Sequence, residues 1–365
     1  MQINIIRTKF LDALKQVQNV ADSKNTLPIL ANVKMEAKDG KVTMCATNLD
    51  VTVISTVDCE VVEAGVTTLP VKLLAIVIGK MVEGPINMKV DDKFRATLTG
   101  GSAVYHLSGL DPAEFPTLPK SEDGKTIIMP QAVMKEVIRK VIYAASKDDT
   151  RRTLKGILMS FKDGKATTVA TDGRRLSLVE VEVDSAKGND MDVILPPIGI
   201  AELVRSLSST GDIELKVEKS QMSFTFGNVK IYSKLFDDAY PNYHQVIPKN
   251  NDKRVTVDRK MLMDAIDRVS VLSDPTTNAS VRMVFDAGMM TIQSATEDIG
   301  EARDSLPVKY DGEKVEICFN PFYVIDPLKA LDDDEVFIEL LDGHSPIAIK
   351  ASIPFIGVVM PLRFS

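Results

Sequence analysis

The chain has 365 residues, enough for two or three domains. With 44% hydrophobic and 26% charged residues it has ample material for a core, which excludes disordered and collagen-like classes. A net charge of −7 argues on its own against a nucleic-acid partner, although a total says nothing about how charge is distributed.

No apolar run is long enough to span a bilayer, and Met1-Gln2-Ile3-Asn4-Ile5-Ile6-Arg7 lacks the apolar core of a signal peptide. A cytosolic protein is the expectation. Cys45, Cys59 and Cys318 lie in strand-like stretches with no CxxC spacing, so buried free thiols are expected rather than disulfides or metal ligands.

In chain order, the first element is an amphipathic helix over 7–21, with Phe10, Leu14, Val17 and Ala21 on one stripe. Alternating strands follow around a Lys38-Asp39-Gly40-Lys41 hairpin, then a second helix opening near Pro70 and covering 70–81. The same series begins again with a helix over 130–146 carrying Met134, Ile138, Val141 and Ala145. It continues through a Lys162-Asp163-Gly164-Lys165 hairpin to a helix over 196–208 and the strands Ile213-Leu215-Val217 and Met222-Phe224-Phe226. A third series has a helix over 258–272 with Leu262, Ile266, Val269 and Leu272, an Asp286-Ala287-Gly288-Met289 hairpin and a helix over 321–331.

The spacing makes these three copies of one unit. The hairpin glycines are 124 residues apart both times, Pro70, Pro196 and Pro321 are 126 and 125 apart, and Pro116 and Pro241 are 125 apart. After each hairpin come Ala46-Thr47-Asn48, Ala170-Thr171-Asp172 and Ala295-Thr296-Glu297. Pro, Lys, Asp and Asn accumulate near 120–128 and 247–254, which divides the chain into domains at 1–122, 123–248 and 249–365. The expected fold class is α+β, three tandem domains with two helices and about eight strands each. Tandem equivalent units also close readily into symmetric assemblies that leave no sheet edge exposed.

The six helical segments hold thirteen Lys and Arg against seven Asp and Glu, a balance of +6 that leaves −13 for the rest of the chain. Catalytic patterns are missing from the sequence. It has no GxxxxGK[ST] loop, no GxSxG elbow and no HExxH, and His106, His244 and His344 are far apart. Trp is absent and aromatics are 5%, which argues against a stacking platform for single strands.

At Ala170-Thr171-Asp172-Gly173-Arg174-Arg175-Leu176 and Val358-Val359-Met360-Pro361-Leu362-Arg363 the chain resembles the β subunit of bacterial DNA polymerase III, the sliding-clamp family. Thr26-Leu27-Pro28-Ile29-Leu30, Tyr240-Pro241-Asn242-Tyr243 and the overall length extend the likeness along the whole chain. The resemblance implies clamp-type domains, two helices on antiparallel sheets, and a head-to-tail homodimer closed into a ring whose helices line a hole around duplex DNA. It implies a processivity factor without catalytic residues, cofactor or metal. The implied partners are double-stranded DNA read without sequence preference, the DNA polymerase III α subunit, the clamp-loader complex, other polymerases and repair proteins with clamp-binding peptides, and a second copy. Phosphate contacts without base readout would let a ring slide. The alternatives are a repeat-built protein-binding scaffold without DNA contact and a hydrolase on repeated α+β domains.

By the same resemblance, Lys24, Arg151 and Arg152 are DNA-contact candidates. Tyr105, Leu107, Val271 and Leu272 are dimer-interface candidates. The partner-peptide site is carried by Leu154, Thr171, Gly173, Arg174, Arg175, Leu176, Pro241, Val246, Val358, Met360, Pro361 and Leu362. Leu, Val, Pro and Met suit an apolar slot, Gly173 leaves room for a peptide backbone, and Arg175 offers a polar contact at the rim. Gln245 and Arg174 stand where family members often carry a basic residue and a histidine. Alternation along the last strand should bury Val359 and turn Val358 and Met360 the other way.

Overall fold

The computed structural model describes residues 1–21, 27–119, 123–272, 279–296 and 300–362. Lys24, Thr26, Glu297, Arg363 and the first proposed boundary at 122 lie outside them. The chain forms two compact units, one of residues 1–133 and 195–235, the other of residues 134–194 and 236–365. Each unit combines parts of two sequence repeats because its largest sheet runs across a repeat boundary.

In the first unit a five-stranded sheet runs Glu60–Glu63, Gln2–Ile6, Pro85–Val90, Arg95–Gly100, Ala103–Ser108. An eight-stranded sheet runs Lys125–Pro130, Asp212–Val217, Gln221–Phe226, Val229–Lys234, Val51–Asp58, Lys41–Thr47, Asn32–Lys38, Gly65–Pro70. Its seam is the antiparallel pairing of Val229–Lys234, from the second repeat, with Val51–Asp58, from the first.

The second unit repeats this plan. Its eight-stranded sheet runs Met191–Leu195, Ile157–Lys162, Lys165–Thr171, Arg175–Glu182, Phe355–Val359, Ile347–Lys350, Glu335–Leu340, Lys253–Asp258. The seam lies between Arg175–Glu182 and Phe355–Val359, with Arg175 opposite Val359. A four-stranded sheet, Gly300–Pro307, Met289–Thr296, Val281–Asp286, Val315–Phe319, completes it.

The helices fall near the expected segments but end sooner. They are α1 (Arg7–Val17), α2 (Val71–Lys80), α3 (Gln131–Val141), α4 (Arg152–Lys155), α5 (Pro197–Ser206), α6 (Arg259–Ser270) and α7 (Pro321–Ala330). The one-turn α4 was not foreseen. Ala21, Ala145 and Leu272 lie beyond the helices whose stripes they were expected to continue. After α3 the run Val141-Ile142-Tyr143 brings β-branched and aromatic residues that crowd a helical backbone, and the chain tightens into one 3₁₀ turn before Ala145 turns extended. Among the described residues the three repeats hold nine, eight and eight strands, close to the eight expected.

In the first and third repeats the first residue of the first helix holds the end of the second helix, and in the middle repeat it holds the loop just beyond that end. Arg7 donates through Nε to the Ile78 carbonyl at 3.0 Å and through Nη2 to Gly79 at 2.7 Å. Arg259 donates through Nη1 to the Leu328 carbonyl at 3.1 Å. In the middle repeat the shorter Gln131 reaches the Thr210 carbonyl at 3.0 Å and accepts from the Ser208 amide at 3.0 Å. Donors of this kind satisfy the carbonyls that a helix C-terminus leaves open.

Cys45 is buried, and burial pushes its thiol up to about 12; Cys59 and Cys318 are free but only half-buried. Cys59 sits between two strands and Cys318 on the last strand of the four-stranded sheet, so neither is enclosed on all sides.

Candidate peptide groove

The site grows from the turn joining Lys165–Thr171 to Arg175–Glu182. The Thr171 hydroxyl donates to the Arg175 carbonyl at 2.7 Å and accepts from the Gly173 amide at 3.1 Å. Asp172 Oδ1 accepts from the amides of Arg174 at 2.9 Å and Arg175 at 3.1 Å. Short polar side chains that bond the backbone two residues on are what stabilise such turns. The path requires a left-handed residue, and Gly173 supplies it with φ +86°.

Arg175 starts the seam strand with its side chain only 9% exposed. Nε donates to Asp172 Oδ2 at 3.0 Å and Nη1 to Asp326 Oδ2, on α7, at 2.5 Å. The guanidinium carbon lies 5.6 Å from the Tyr143 ring centre and 4.7 Å from that of Tyr323. Burial works against the charge of Arg175, but the Asp326 hydrogen bond and the two carboxylates outweigh it and raise its pKa. The expected rim contact is therefore corrected: two carboxylates draw this guanidinium inward.

Arg174 is exposed. Its pKa is raised, first by a hydrogen bond to the Tyr323 hydroxyl. Its carbonyl accepts from the Met360 amide at 2.9 Å. Two cavities meet this pair of residues. A polar one of about 610 Å³ includes Lys147, Arg151, Arg174, Asn320, Tyr323 and Asp326 in its lining. A largely apolar one of about 500 Å³ is lined by Val246, Ile247, Pro248, Pro346 and Met360, with His244, Gln245 and Lys249. Beneath it Leu158, Val169, Leu176 and Val358 form a buried cluster, against which Tyr240, Tyr243 and Ile247 pack.

Of the expected peptide residues, Arg174, Arg175, Val246 and Met360 line these cavities. Leu176 and Val358 belong to the floor. Val358 and Val359 are both buried, against the expected alternation, because their strand lies inside an eight-stranded sheet covered on both faces. Met360 emerges as the sheet ends. Thr171 and Gly173 shape the turn. The Leu154 carbonyl accepts from the Ser146 amide at 2.8 Å, and the Leu362 amide donates to the Cys318 carbonyl at 2.8 Å. Pro241 is exposed and Pro361 half-buried. Sequence reasoning missed Tyr323 and Asp326 as site residues. Their spacing of three along one helix was the available signal.

Arg151 lines the polar cavity and donates to the Asp172 carbonyl at 3.2 Å. Arg152 stacks over the Phe236 ring at 4.9 Å. On the helices, Lys9, Lys72, Lys80, Lys260 and Lys329 are exposed and have no ion pair among the described residues. Lys140, counted with them from sequence, is instead buried against Glu136 at 2.6 Å. At the outer strands, Leu107 is buried and Tyr105 half-buried, whereas Val104 is exposed, since alternate residues of Ala103–Ser108 face opposite ways. Val271 is 78% exposed and Leu272 half-buried.

Three tandem α+β repeats, each with two main helices on antiparallel sheets, together with a two-pocket groove where the second and third repeats meet inside the second compact unit, define a clamp-type protein. Comparison with known proteins narrows the class. The DNA polymerase III beta subunit N-terminal, central and C-terminal domains match residues 1–119, 128–242 and 244–363. The beta sliding clamp of Synechocystis sp. is 30% identical over 375 residues, covering 96% of each chain, and that of Chlamydia muridarum is 27% identical over 363 residues, covering 100% of this chain and 99% of the relative. The solved DNA polymerase III subunit beta of Pseudomonas aeruginosa is 28% identical and superposes over 100% of both chains with a TM-score of 0.96. The sliding clamp of Bartonella birtlesii, solved with griselimycin bound, is 31% identical with a TM-score of 0.94 over 100% of both chains. The chain belongs to the DNA polymerase III beta subunit family, the bacterial DNA sliding clamps.

Proposed function

We propose that two copies of this chain close head to tail into a six-domain ring around duplex DNA, and that the ring tethers partners through a short peptide held in the groove. The domains divide at 1–122, 123–248 and 249–365. The protein acts as a processivity factor rather than an enzyme, in the cytoplasm. Its partners are the polymerase III α subunit, the clamp loader, and other polymerases and repair proteins with a clamp-binding peptide. The observation that carries this reading is the bond between Arg174 and Met360, which sets a polar cavity of mixed charge beside an apolar one in a member of the sliding-clamp family. A peptide with leucine and phenylalanine anchors suits Val246 and Met360, while an upstream glutamine suits the polar side.

Ring closure draws on the outer strands Ala103–Ser108 and Gly300–Pro307, each at the end of its sheet. On the first strand the exposed Val104 joins Tyr105 and Leu107 as an interface candidate; Val271 and Leu272 serve the second. DNA contact rests on Lys24, Arg151 and Arg152 and on the unpaired helix lysines, which would hold phosphates without reading bases.

Removing residues Met360 through Ser365 tests the groove. Fluorescence anisotropy is expected to show complete loss of the glutamine-leucine-phenylalanine peptide, while sedimentation still reports a dimer. Unchanged peptide affinity would place the site elsewhere, and a monomer at all concentrations in the intact protein would remove the ring.

A further inference from the structure

We propose that His106 makes closure of the ring pH-dependent, because the ring seam sets it across from Glu301 of the partner subunit. This deepens the ring reading above and rests on it. The register comes from the two seams inside the chain, where Val53 lies opposite Ile231 and Ser177 opposite Gly357. Val53 is five residues before Asp58, which opens its hairpin opposite Lys41, and Ser177 is five before Glu182, which opens its own opposite Lys165. The third hairpin opens with Met289 opposite Pro307, so the equivalent position is Ala302. On the other side of the seam, Ile231 is two residues past Val229, which closes a hairpin with Phe226. Tyr105 is likewise two past Ala103, which closes one with Gly100.

Ala103–Ser108 and Gly300–Pro307 each end a sheet. Setting Tyr105 opposite Ala302 repeats the internal register, and antiparallel pairing then puts His106 opposite Glu301 and Val104 opposite Arg303. Alternation agrees. Tyr105 and Ala302 are both half-buried, while Val104, His106, Glu301 and Arg303 are all exposed, and a slip of one residue would break that match. At the internal seams the same two positions are closed: Tyr232 faces Thr52, Val358 faces Leu176, and all four are buried. At the ring seam both are titratable and open.

The surroundings of His106 decide the sign. Within its own sheet the Thr97 hydroxyl lies 3.1 Å from Nδ1, and Nε2 has no hydrogen-bond partner among the described residues. Lys89 stands beyond Thr97 on the next strand, and Arg95, opposite Ser108, is bonded to Asp91 at 2.9 Å. Across the seam Glu301, which has no ion pair among the described residues, is directly opposite, with Ala295 behind it; Arg303 is diagonal. Directly opposed side chains approach to about 5 Å and diagonal ones to about 7–8 Å, so the carboxylate dominates. An ordinary imidazole takes its proton near about pH 6.5, and a carboxylate opposite raises that value in the ring relative to the separate chains. A group raised in this way contributes fully below its separate-chain value, and the contribution is lost as pH rises through the raised one. The ring is therefore tighter in mild acid.

Fluorescence-detected sedimentation of the full-length protein, at about pH 6 and about pH 8 and one ionic strength, reads the dimer dissociation constant. The pair is expected to contribute about threefold at each seam, and a closed dimer has two seams, so the ring is expected to hold about tenfold tighter at the lower pH. His106→Gln and Glu301→Gln are each expected to remove the difference, and His106→Arg to hold the ring equally tight at both values. A difference that survives in both glutamine variants overturns the proposal. The register has its own readout: His106→Cys combined with Glu301→Cys is expected to give a covalent dimer on mild oxidation, since directly opposed residues lie within disulfide reach. A dimer that stays unlinked overturns the pairing. If the unaltered protein dimerises equally at both values, the proposal falls while the ring stands. If it is a monomer at every concentration, the ring reading fails and takes this inference with it.

Discussion

At residues 47–51 the Thr47 hydroxyl donates to the Val51 carbonyl at 2.9 Å and accepts from the Leu49 amide at 3.1 Å, while Asn48 Oδ1 takes the amides of Asp50 and Val51 at 3.1 and 2.8 Å. At residues 171–175 Thr171 and Asp172 make the corresponding four bonds. The left-handed position is Leu49, φ +78°, in one and Gly173, φ +86°, in the other. Each turn also receives the last strand of the following repeat in the same way: the Lys234 amide donates to Asp50 and the Met360 amide to Arg174, both at 2.9 Å. The side chains then diverge. Asp50 and Lys234 close an ion pair at 3.2 Å, and Val51 is buried in the core. Arg174 and Met360 leave a cation and a thioether standing open, and Arg175 goes to α7 instead of the core. One backbone frame is thus a sealed seam in the first unit and a groove in the second, and the difference lies in three side chains.

The sharpest way to break this contrast is to give the second turn the side chains of the first. Arg174→Asp with Met360→Lys is expected to close an ion pair over the apolar pocket and to weaken the clamp-binding peptide about thirtyfold or more, the loss that goes with about 2 kcal/mol at an interface anchor. Stability should barely move. Anisotropy against a denaturant titration reads both, and retained affinity would mean the open side chains are not what makes the groove.

The turns also differ in what their second residue supports. Asp172→Ala removes the turn bonds and leaves Arg175 buried with one carboxylate, so a cost of about 3 kcal/mol is expected. Asn48→Ala removes backbone bonds only, at about 1 kcal/mol. Urea midpoints compare the two, and equal losses would show that the buried cation adds nothing.

A smaller effect attends the left-handed position. Gly173→Leu places a side chain where L-residues are strained and is expected to cost about 1–2 kcal/mol. A Cβ there also meets Arg151 Nη1 at 3.1 Å, a flexible end that can yield. The reciprocal Leu49→Gly relieves strain and loosens the unfolded chain, and the two should cancel to within about 0.5 kcal/mol. Thermal unfolding of the pair checks the sign.

The smallest expected effect is on acid stability. The Arg139 hydrogen bond, opposed by partial burial and aided by Lys140, holds Glu136 down at about 2, and Arg139 also pairs with Asp332. A carboxylate depressed in the folded state stabilises it above its unfolded pKa, and that contribution is lost as pH falls from the ordinary carboxylate range through about 2. Glu136→Gln should flatten this part of the acid-unfolding curve slightly, since the pair is half-exposed. An unchanged curve would assign no stability to the cluster.

Much of this was readable in the chain. Apolar stripes at steps of three and four placed α1, α3 and α6, and glycines 124 residues apart revealed the repeat, because periodicity and turn chemistry act over a few residues. The resemblance brought Arg174, Val246 and Met360 to the groove. It did not reveal that Val358 is core, since burial on both faces depends on which strands flank it.

What the sequence determined alone was local: where helices start, where hairpins turn, and that one unit is used three times. Tertiary structure decided which ends of those units meet. The large sheets run across the repeat boundaries, so each compact unit draws on two repeats, a choice made by strand pairing over long loops of chain. The fate of Arg175 was settled the same way. Asp172, three residues away, supplies one carboxylate within local reach, but a single neighbour fits a rim arginine as well as a buried one; Asp326, far along the chain, adds the second carboxylate that draws the charge inward.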